Sequence, residues 1–197
     1  MKGIQASFCI DGAYPASGRV LNNELGGGAI LDVGCYPVSM ARLVAGIGNG
    51  EPFSEPLSLH ALGHVGGGSR VDEYSTAILK FPGEIVASLA TAVQLWQDNS
   101  VRIFGSEGRL LLSAPWHPAR DTDDSEIVIE RPKQEPEIIR VPAAGTIYSY
   151  EIDAGPGATR TAPGGRDELG GFLGQRAHAD RWRNALGVTF AADQLEA

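Results

Sequence analysis

Residues 25–46 read LGGGAILDVGCYPVSMARLVAG, and their apolar side chains recur at nearly helical spacing. The spacing predicts a helix over about residues 29–45 that ends at Gly46, because glycine commonly terminates helices. Pro37 removes one backbone donor, so the helix should bend or break there unless the helical path begins at that point.

The remainder of the chain is mostly extended. Apolar residues alternate or run between glycine and proline signals, which predicts strands, and two tight turn signals predict antiparallel hairpins between consecutive strands. The predicted strands are residues 3–10, 57–65, 74–81, 85–93, 101–104, 109–112, 127–130 and 137–141.

A second amphipathic helix is predicted near the carboxyl end, over residues 167–186, and it should stop at Gly187. Residues 153–166, rich in glycine and proline, should form an irregular loop before it. The order of elements describes one α+β domain over residues 1–197: a large, mostly antiparallel sheet with helices on one face.

Composition excludes several classes of protein. The chain has 197 residues, a net charge of -8 and only two cysteines, Cys9 and Cys35. The acidic balance argues against nucleic acid as a partner, and two cysteines are too few for a disulfide scaffold. No apolar run of the length needed for a membrane span is evident, and the first residues resemble no targeting signal, which favours a cytoplasmic protein.

Five blocks carry a resemblance that covers nearly the whole chain in order. They are LGGGAILDVGCYPVSMARLVAG at residues 25–46, DEYSTAILKFPGEIVASL at 72–89, NSVRIFGSEGRLLL at 99–112, PWHP at 115–118 and RAHADRWRNALG at 176–187. Together they resemble the carboxy-terminal domain of the Gfo/Idh/MocA oxidoreductases. The form DVGCYP at residues 32–37 is more similar to the dihydrodiol and xylose dehydrogenase branch than to the inositol dehydrogenases.

The resemblance implies an enzyme of two domains, of which this chain holds the second. An amino-terminal Rossmann domain would bind NAD or NADP, while the sheet domain would shape the site for a sugar, polyol or dihydrodiol. The same resemblance implies a homo-oligomer formed through the open sheet face. The family's lysine, which assists proton transfer, is absent, as if the reading frame began inside a longer one.

No stretch satisfies the dinucleotide fingerprint, a strand followed by G-x-G-x-x-G and a helix within a βαβ unit. The nearest candidates are residues 26–28, which follow a loop, and residues 155–160, which lack the preceding parallel strand. Residues 26–28 are better explained by close backbone packing and turn geometry. We therefore expect no cofactor site in the chain, and activity only with a separate Rossmann partner.

The resemblance makes Tyr36 the candidate general acid and base at the substrate hydroxyl, although a phenol with a pKa near 10 needs a nearby cation for that role. Asp32 lies four residues earlier, so a continuous helix would place both on one face, where the carboxylate could bind substrate or orient the phenol. A purely structural role is the alternative for both residues. An acidic residue is favoured in the first turn of a helix by the helix dipole, and a tyrosine on an apolar helix commonly packs in the core. Trp116, His117 and Arg19 are the candidate substrate-binding residues, with a structural role as the alternative for Trp116 and His117.

Other polar residues give weaker signals. His60 and His64 lie about 13 Å apart if they share a strand face, too far for one metal ion without further ligands, so no metal site is expected. Trp96 and Asn99 lie at strand ends or in loops, where the side chains that line pockets are commonly found.

Two functions remain open: the substrate domain of an oxidoreductase, or a non-catalytic module for oligomerisation or ligand binding.

Overall fold

The computed structural model describes residues 1–118, 124–143, 145 and 169–194, and for residues 169–172 and 194 only the backbone. Within these residues, eight strands form one sheet in the order β2-β3-β4-β1-β5-β6-β7-β8, so the predicted α+β class is confirmed. The predicted loop over residues 153–166 lies outside the described residues. The strands are β1 Gly3–Cys9, β2 Ser58–Val65, β3 Asp72–Lys80, β4 Val86–Ala92, β5 Ser100–Phe104, β6 Arg109–Ser113, β7 Ser125–Glu130 and β8 Glu137–Val141.

The predicted hairpins form at both turn signals. Phe81 N–H donates to the Ile85 carbonyl at 2.8 Å between β3 and β4, and Gly105 N–H donates to the Gly108 carbonyl at 2.9 Å between β5 and β6. The expectation that consecutive strands pair throughout is wrong for β4 and β5. Strand β1 lies between them, parallel to β4 and antiparallel to β5. The turn chemistry of neighbouring strands carries no information on where a distant first strand inserts.

The predicted first helix begins with a different geometry and ends later. Ile30–Gly34 forms a π-helical turn, and α1 follows as Cys35–Asn49. Pro37 therefore lies in the first turn of α1, where a missing N–H is tolerated. The expected end at Gly46 is wrong: Gly46 is buried within the helix, and α1 ends at Gly50 with φ 79°. Gly46 instead admits a close approach, because a Cβ there would lie 2.6 Å from the Phe53 Cα.

The second helix, α2, comprises Leu169–Ala185 and is followed by Gly187 with φ 71°, as expected for a glycine stop. It packs on α1 and β2, with Trp182 fully buried. Glu55 connects the two helices, since its carboxylate accepts from Arg42 of α1 at 2.5 Å and lies 2.5 Å from His178 Nε2 of α2.

One face of the sheet forms the core with the helices. Alternate residues of the central strands point inward, as the period of two in a strand requires. The inward-facing and buried positions are Ile4, Ala6, Phe8, Ala77, Leu79, Ala87, Leu89 and Val101.

Within the described residues, one helical stretch, Asn23–Asn49, is long and apolar enough to cross a membrane, which the sequence analysis did not expect. About half of its most apolar part, 56%, is buried inside the protein. Core helices have the same length and composition, and α1 packs on β1 and β4, so burial against the sheet accounts for its apolar character.

Candidate active site

An aromatic cluster lies where the carboxyl end of β1 meets the beginning of α1. Phe8, buried in β1, contacts three rings: Tyr36 edge-on with centroids 5.3 Å apart, Trp116 stacked at 5.5 Å and His117 edge-on at 5.6 Å. Tyr36 and Trp116 also meet edge to face, at 6.1 Å. The structure therefore brings together three of the five predicted site residues around a phenylalanine that the sequence analysis did not single out.

Trp116 and His117 contribute differently to this cluster. Trp116 is 7% exposed, and its indole Nε1 donates to the Ser7 carbonyl at 2.7 Å, so its polar atom is already used within the protein. His117 and Tyr36 are exposed, and 48% of Tyr36 is accessible to solvent. Trp116 thus forms a wall, while the imidazole and the phenol can reach a bound molecule.

Asp32 and Arg19, the other two predicted residues, form an ion pair. Arg19 begins the short helical turn Arg19–Leu21, and its side chain is 56% exposed, whereas that of Asp32 is 16% exposed. Asp32 lies within the π-helical turn, so the continuous α-helix assumed for the spacing of Asp32 and Tyr36 is not the observed path. The guanidinium gives this part of the surface one cation beside a carboxylate, a combination suited to binding hydroxyl groups.

The triple glycine is used for packing. The N–H groups of Gly26, Gly27 and Gly28 all donate to backbone carbonyls of the preceding loop, at 3.2, 2.9 and 2.8 Å. Gly26 and Gly28 have φ values of 64° and 107°, which favour glycine. Amides engaged in this way cannot cradle a phosphate, which agrees with the packing role expected from the sequence.

Two buried polar residues beside the site were missed. Asp72 and Thr91 are each 1% exposed and contact the backbone where the π-helical turn begins, at Ile30 and Ala29 respectively. Burial raises the pKa of Asp72 to about 7, against hydrogen bonds from the backbone that favour the ionised form. For Thr91 the available signal was a polar residue in phase with the buried Ala87 and Leu89 of β4. Alternation gave no such signal for Asp72, which is out of phase with the buried residues of β3 because the register shifts beside it.

The remaining candidates from the sequence lie elsewhere. His60 and His64 occupy the face of β2 away from the helices, opposite Ile78 and Tyr74 of β3. Within the described residues no cluster of three or more metal-ligating side chains occurs. Asn99 extends β1 by pairing through its side-chain amide with both backbone groups of Cys9, at 2.7 and 3.0 Å.

The fold, together with the Tyr36 segment, is that of a known domain. Residues 1–111 match the family described as the GFO/IDH/MocA C-terminal domain, and this chain belongs to that family. The family assignment made from the five sequence blocks is thereby confirmed.

Curated relatives include dihydrodiol dehydrogenases. The chain is 37% identical over 121 residues to trans-1,2-dihydrobenzene-1,2-diol dehydrogenase of Xenopus tropicalis, covering 60% of this chain and 33% of that protein. It is 26% identical over 189 residues to the human enzyme of the same name, covering 89% and 51%. The chain thus spans about a third to half of these relatives' length.

Solved structures show the same fold. The 3-ketoreductase KijD10 from Actinomadura kijaniata, in complex with NADP and TDP-benzene, superposes with a TM-score of 0.70 at 23% identity over 94% of this chain and 54% of its own. An aldose-aldose oxidoreductase from Caulobacter crescentus, complexed with glycerol, gives 0.68 at 18% identity, over 93% and 53%.

Proposed function

We propose that this chain is the substrate-binding domain of an NAD(P)-dependent oxidoreductase that acts on a hydroxyl group of a sugar, polyol or dihydrodiol. The observation that carries the proposal is the half-exposed phenol of Tyr36, held by Phe8 and Trp116. The Asp32–Arg19 ion pair lies on the adjoining segment. The similar dihydrodiol dehydrogenases, the 3-ketoreductase and the aldose-aldose oxidoreductase support the substrate class.

In this proposal Tyr36 exchanges a proton with the reacting hydroxyl. A carbon that is oxidised from alcohol to carbonyl loses a hydride and a proton, and the phenolate of Tyr36 would accept the proton. His117 and the ion pair would bind neighbouring hydroxyl groups, while Phe8 and Trp116 would exclude water from one side. Arg19, paired with Asp32, would supply positive charge beside these groups.

The nicotinamide cofactor, when bound, supplies the hydride transfer. The amides of residues 26–28 do not fit its phosphates because they are already engaged within the loop. We propose that a Rossmann domain outside these 197 residues holds the cofactor and that these residues are inactive without it. Supplying such a domain with NADP should then give oxidation of a diol, polyol or aldose.

Calorimetric titration of the chain with trans-cyclohexane-1,2-diol and with D-xylose tests the binding half of the proposal. We expect one of the two to bind saturably, and Tyr36→Phe to weaken it about fivefold through loss of one hydroxyl hydrogen bond. Tyr74→Phe is the matched control, because Tyr74 is also exposed but lies on the opposite face of the sheet. After reconstitution, Tyr36→Phe should lower turnover by about two orders of magnitude or more.

Two results would contradict this function. The first is an unmodified chain that binds neither compound and yields no oxidation of any diol, polyol or aldose with a Rossmann partner and NADP. The second is saturable binding of NADPH or NADH by the chain alone, measured by fluorescence, which would place a cofactor site where we propose none.

A second candidate function, an oligomerisation module, has its own observation. The sheet face away from the helices exposes large apolar side chains on three neighbouring strands. Patches of this kind on single chains commonly mark contacts with other proteins. The proposed partner is a second copy of this chain, and the exposed residues are Leu62 (85%), Tyr74 (40%), Ile78 (53%) and Val86 (41%).

A further inference from the structure

Two buried side chains from the sheet hold the backbone at the start of the Tyr36 segment. Asp72, the first residue of β3, accepts from Ile30 N–H through Oδ2 at 2.7 Å. Thr91 of β4 donates from its hydroxyl to the Ala29 carbonyl at 3.2 Å. The two hydrogen bonds involve consecutive residues, Ala29 and Ile30. They therefore restrain both the distance of this backbone from the sheet and its rotation relative to the sheet.

The segment is shaped to these two side chains. Gly28 has φ 107°, and a Cβ at that position would collide with the Asp72 carboxylate. At the other end of the π-helical turn, a Cβ on Gly34 would lie 3.2 Å from the Thr91 methyl group. The absence of side chains at both glycines lets residues 28–34 approach the sheet closely.

The contacts are continuous with the proposed site. Asp32 N–H donates to the Gly28 carbonyl at 3.2 Å, so the ion-paired residue depends on the same stretch of backbone. Tyr36 is the second residue of α1, directly after the π-helical turn. Thr91 also lies opposite Phe8 in the parallel register of β4 and β1, and the Phe8 ring contacts Tyr36.

We propose that Asp72 and Thr91 are positioning residues: by fixing residues 29–34 on the sheet, they set the location of the Asp32 carboxylate and the Tyr36 phenol. The importance of this location rests on the proposed function, whereas the positioning itself is a property of the fold. Burial raises the pKa of Asp72 to about 7, so ionising it costs folding free energy, and a neutral acceptor of the same shape should replace it.

Thr91→Val and Asp72→Ala test the positioning in the full chain. Valine keeps the shape of threonine without the hydroxyl, and alanine removes the acceptor for Ile30. Asp72→Asn is the conservative variant that should restore the acceptor. Ser75→Ala is the matched control, because Ser75 lies opposite Thr91 in the sheet and its buried hydroxyl has no hydrogen-bond partner among the described residues.

Two readouts report the position of the segment without any ligand. Amide hydrogen exchange measures the opening of residues 30–36, and loss of a buried hydrogen bond should accelerate it about tenfold relative to the remaining helix amides. The second readout is fluorine NMR of protein labelled with 3-fluorotyrosine, in which Tyr36→Phe assigns the resonance of Tyr36. This resonance should shift or broaden in Thr91→Val and Asp72→Ala. It should keep its position in Ser75→Ala and return towards it in Asp72→Asn.

Exchange that rises equally across the protein, or an unchanged Tyr36 resonance in Thr91→Val, would overturn the proposal. If Asp72→Ala does not fold, Thr91→Val still decides between local positioning and general stability. Failure of the unmodified chain to bind a diol or sugar would contradict the proposed function alone, because neither readout here depends on a ligand.

Discussion

Single residues at the candidate site have roles that their neighbours in space determine. Trp116 and His117 are adjacent in sequence, but one is buried with its indole N–H bonded to Ser7 and the other is exposed. Two acidic residues at the start of β3 also differ, because Asp72 is buried whereas the side chain of Glu73 is 22% exposed. Residue type alone therefore does not distinguish a side chain that is buried beside the site from one that can contact a bound molecule.

The buried carboxyl of Asp72 predicts an unusual dependence of stability on pH. Burial raises its pKa from 3.8 to about 7 in the folded protein, so the folded state retains a proton that the unfolded state has lost. The contribution of this group to the free energy of unfolding is fully present below about pH 4 and is lost as the pH rises to about 7. The loss is on the order of 4 kcal/mol.

Asp72→Asn removes that titration and should become progressively more stable than the unmodified chain between pH 5 and pH 8. Urea unfolding at both pH values measures the difference. The contributions of other titrating groups, including His178, to the free energy of unfolding are the same in both proteins and cancel in the difference. Parallel stability curves for the two proteins would contradict the assignment of the pH dependence to Asp72.

Among the secondary-structure elements, α1 shows how two glycines near one helix end have separate functions. Gly50 ends the helix in the left-handed region, while Gly46 lies inside it against the loop that follows. A helical pattern that contains both glycines does not reveal which is the stop, because the loop that packs on Gly46 lies outside the pattern.

Gly46→Ala should destabilise the protein despite alanine's higher helix propensity. Its Cβ would lie 2.6 Å from the Phe53 Cα and 2.8 Å from the Glu51 carbonyl oxygen, so the loop must move, at a cost of about 1–3 kcal/mol. Chemical denaturation measures the cost. Gly67→Ala is the control, because no atom lies within 4 Å of the added Cβ, and it should change stability by less than about 0.5 kcal/mol. Equal effects of the two substitutions would refute the packing role of Gly46.

At the scale of the whole molecule, the sheet face away from the helices predicts self-association. Leu62→Asp places a charge within the exposed apolar patch and should weaken the proposed homodimer about a hundredfold or more, because the charge would lose its water on association. Analytical ultracentrifugation over a range of concentrations measures the change.

Ile138→Glu controls for a general effect of added charge on the sheet. Ile138 is 54% exposed and lies on β8, at the far edge of the sheet from β2. It should leave the dimer unchanged. An unmodified chain that sediments as a monomer at every concentration would contradict the oligomeric proposal.

Much of this architecture follows from local sequence pattern. All eight strands of the described residues, both tight turns and the α2 stop at Gly187 were predictable, because the periodicity of burial and the conformations of glycine and proline are local properties. Five ordered sequence blocks also identified the family. The sequence also predicted five site residues, Tyr36, Asp32, Arg19, Trp116 and His117. Their roles at the site remain predictions.

The way in which these elements pack together became visible only in the folded chain. The insertion of β1 between β4 and β5 brings Phe8 beneath Tyr36 and Trp116, and it sets Thr91 beside Phe8. The π-helical turn and the burial of Asp72 depend on the same arrangement. The helices, the strands and the family could be read from local stretches of sequence, because they depend on neighbouring residues. The geometry of the site depends on contacts between residues distant in the chain, whose free energies no local pattern records.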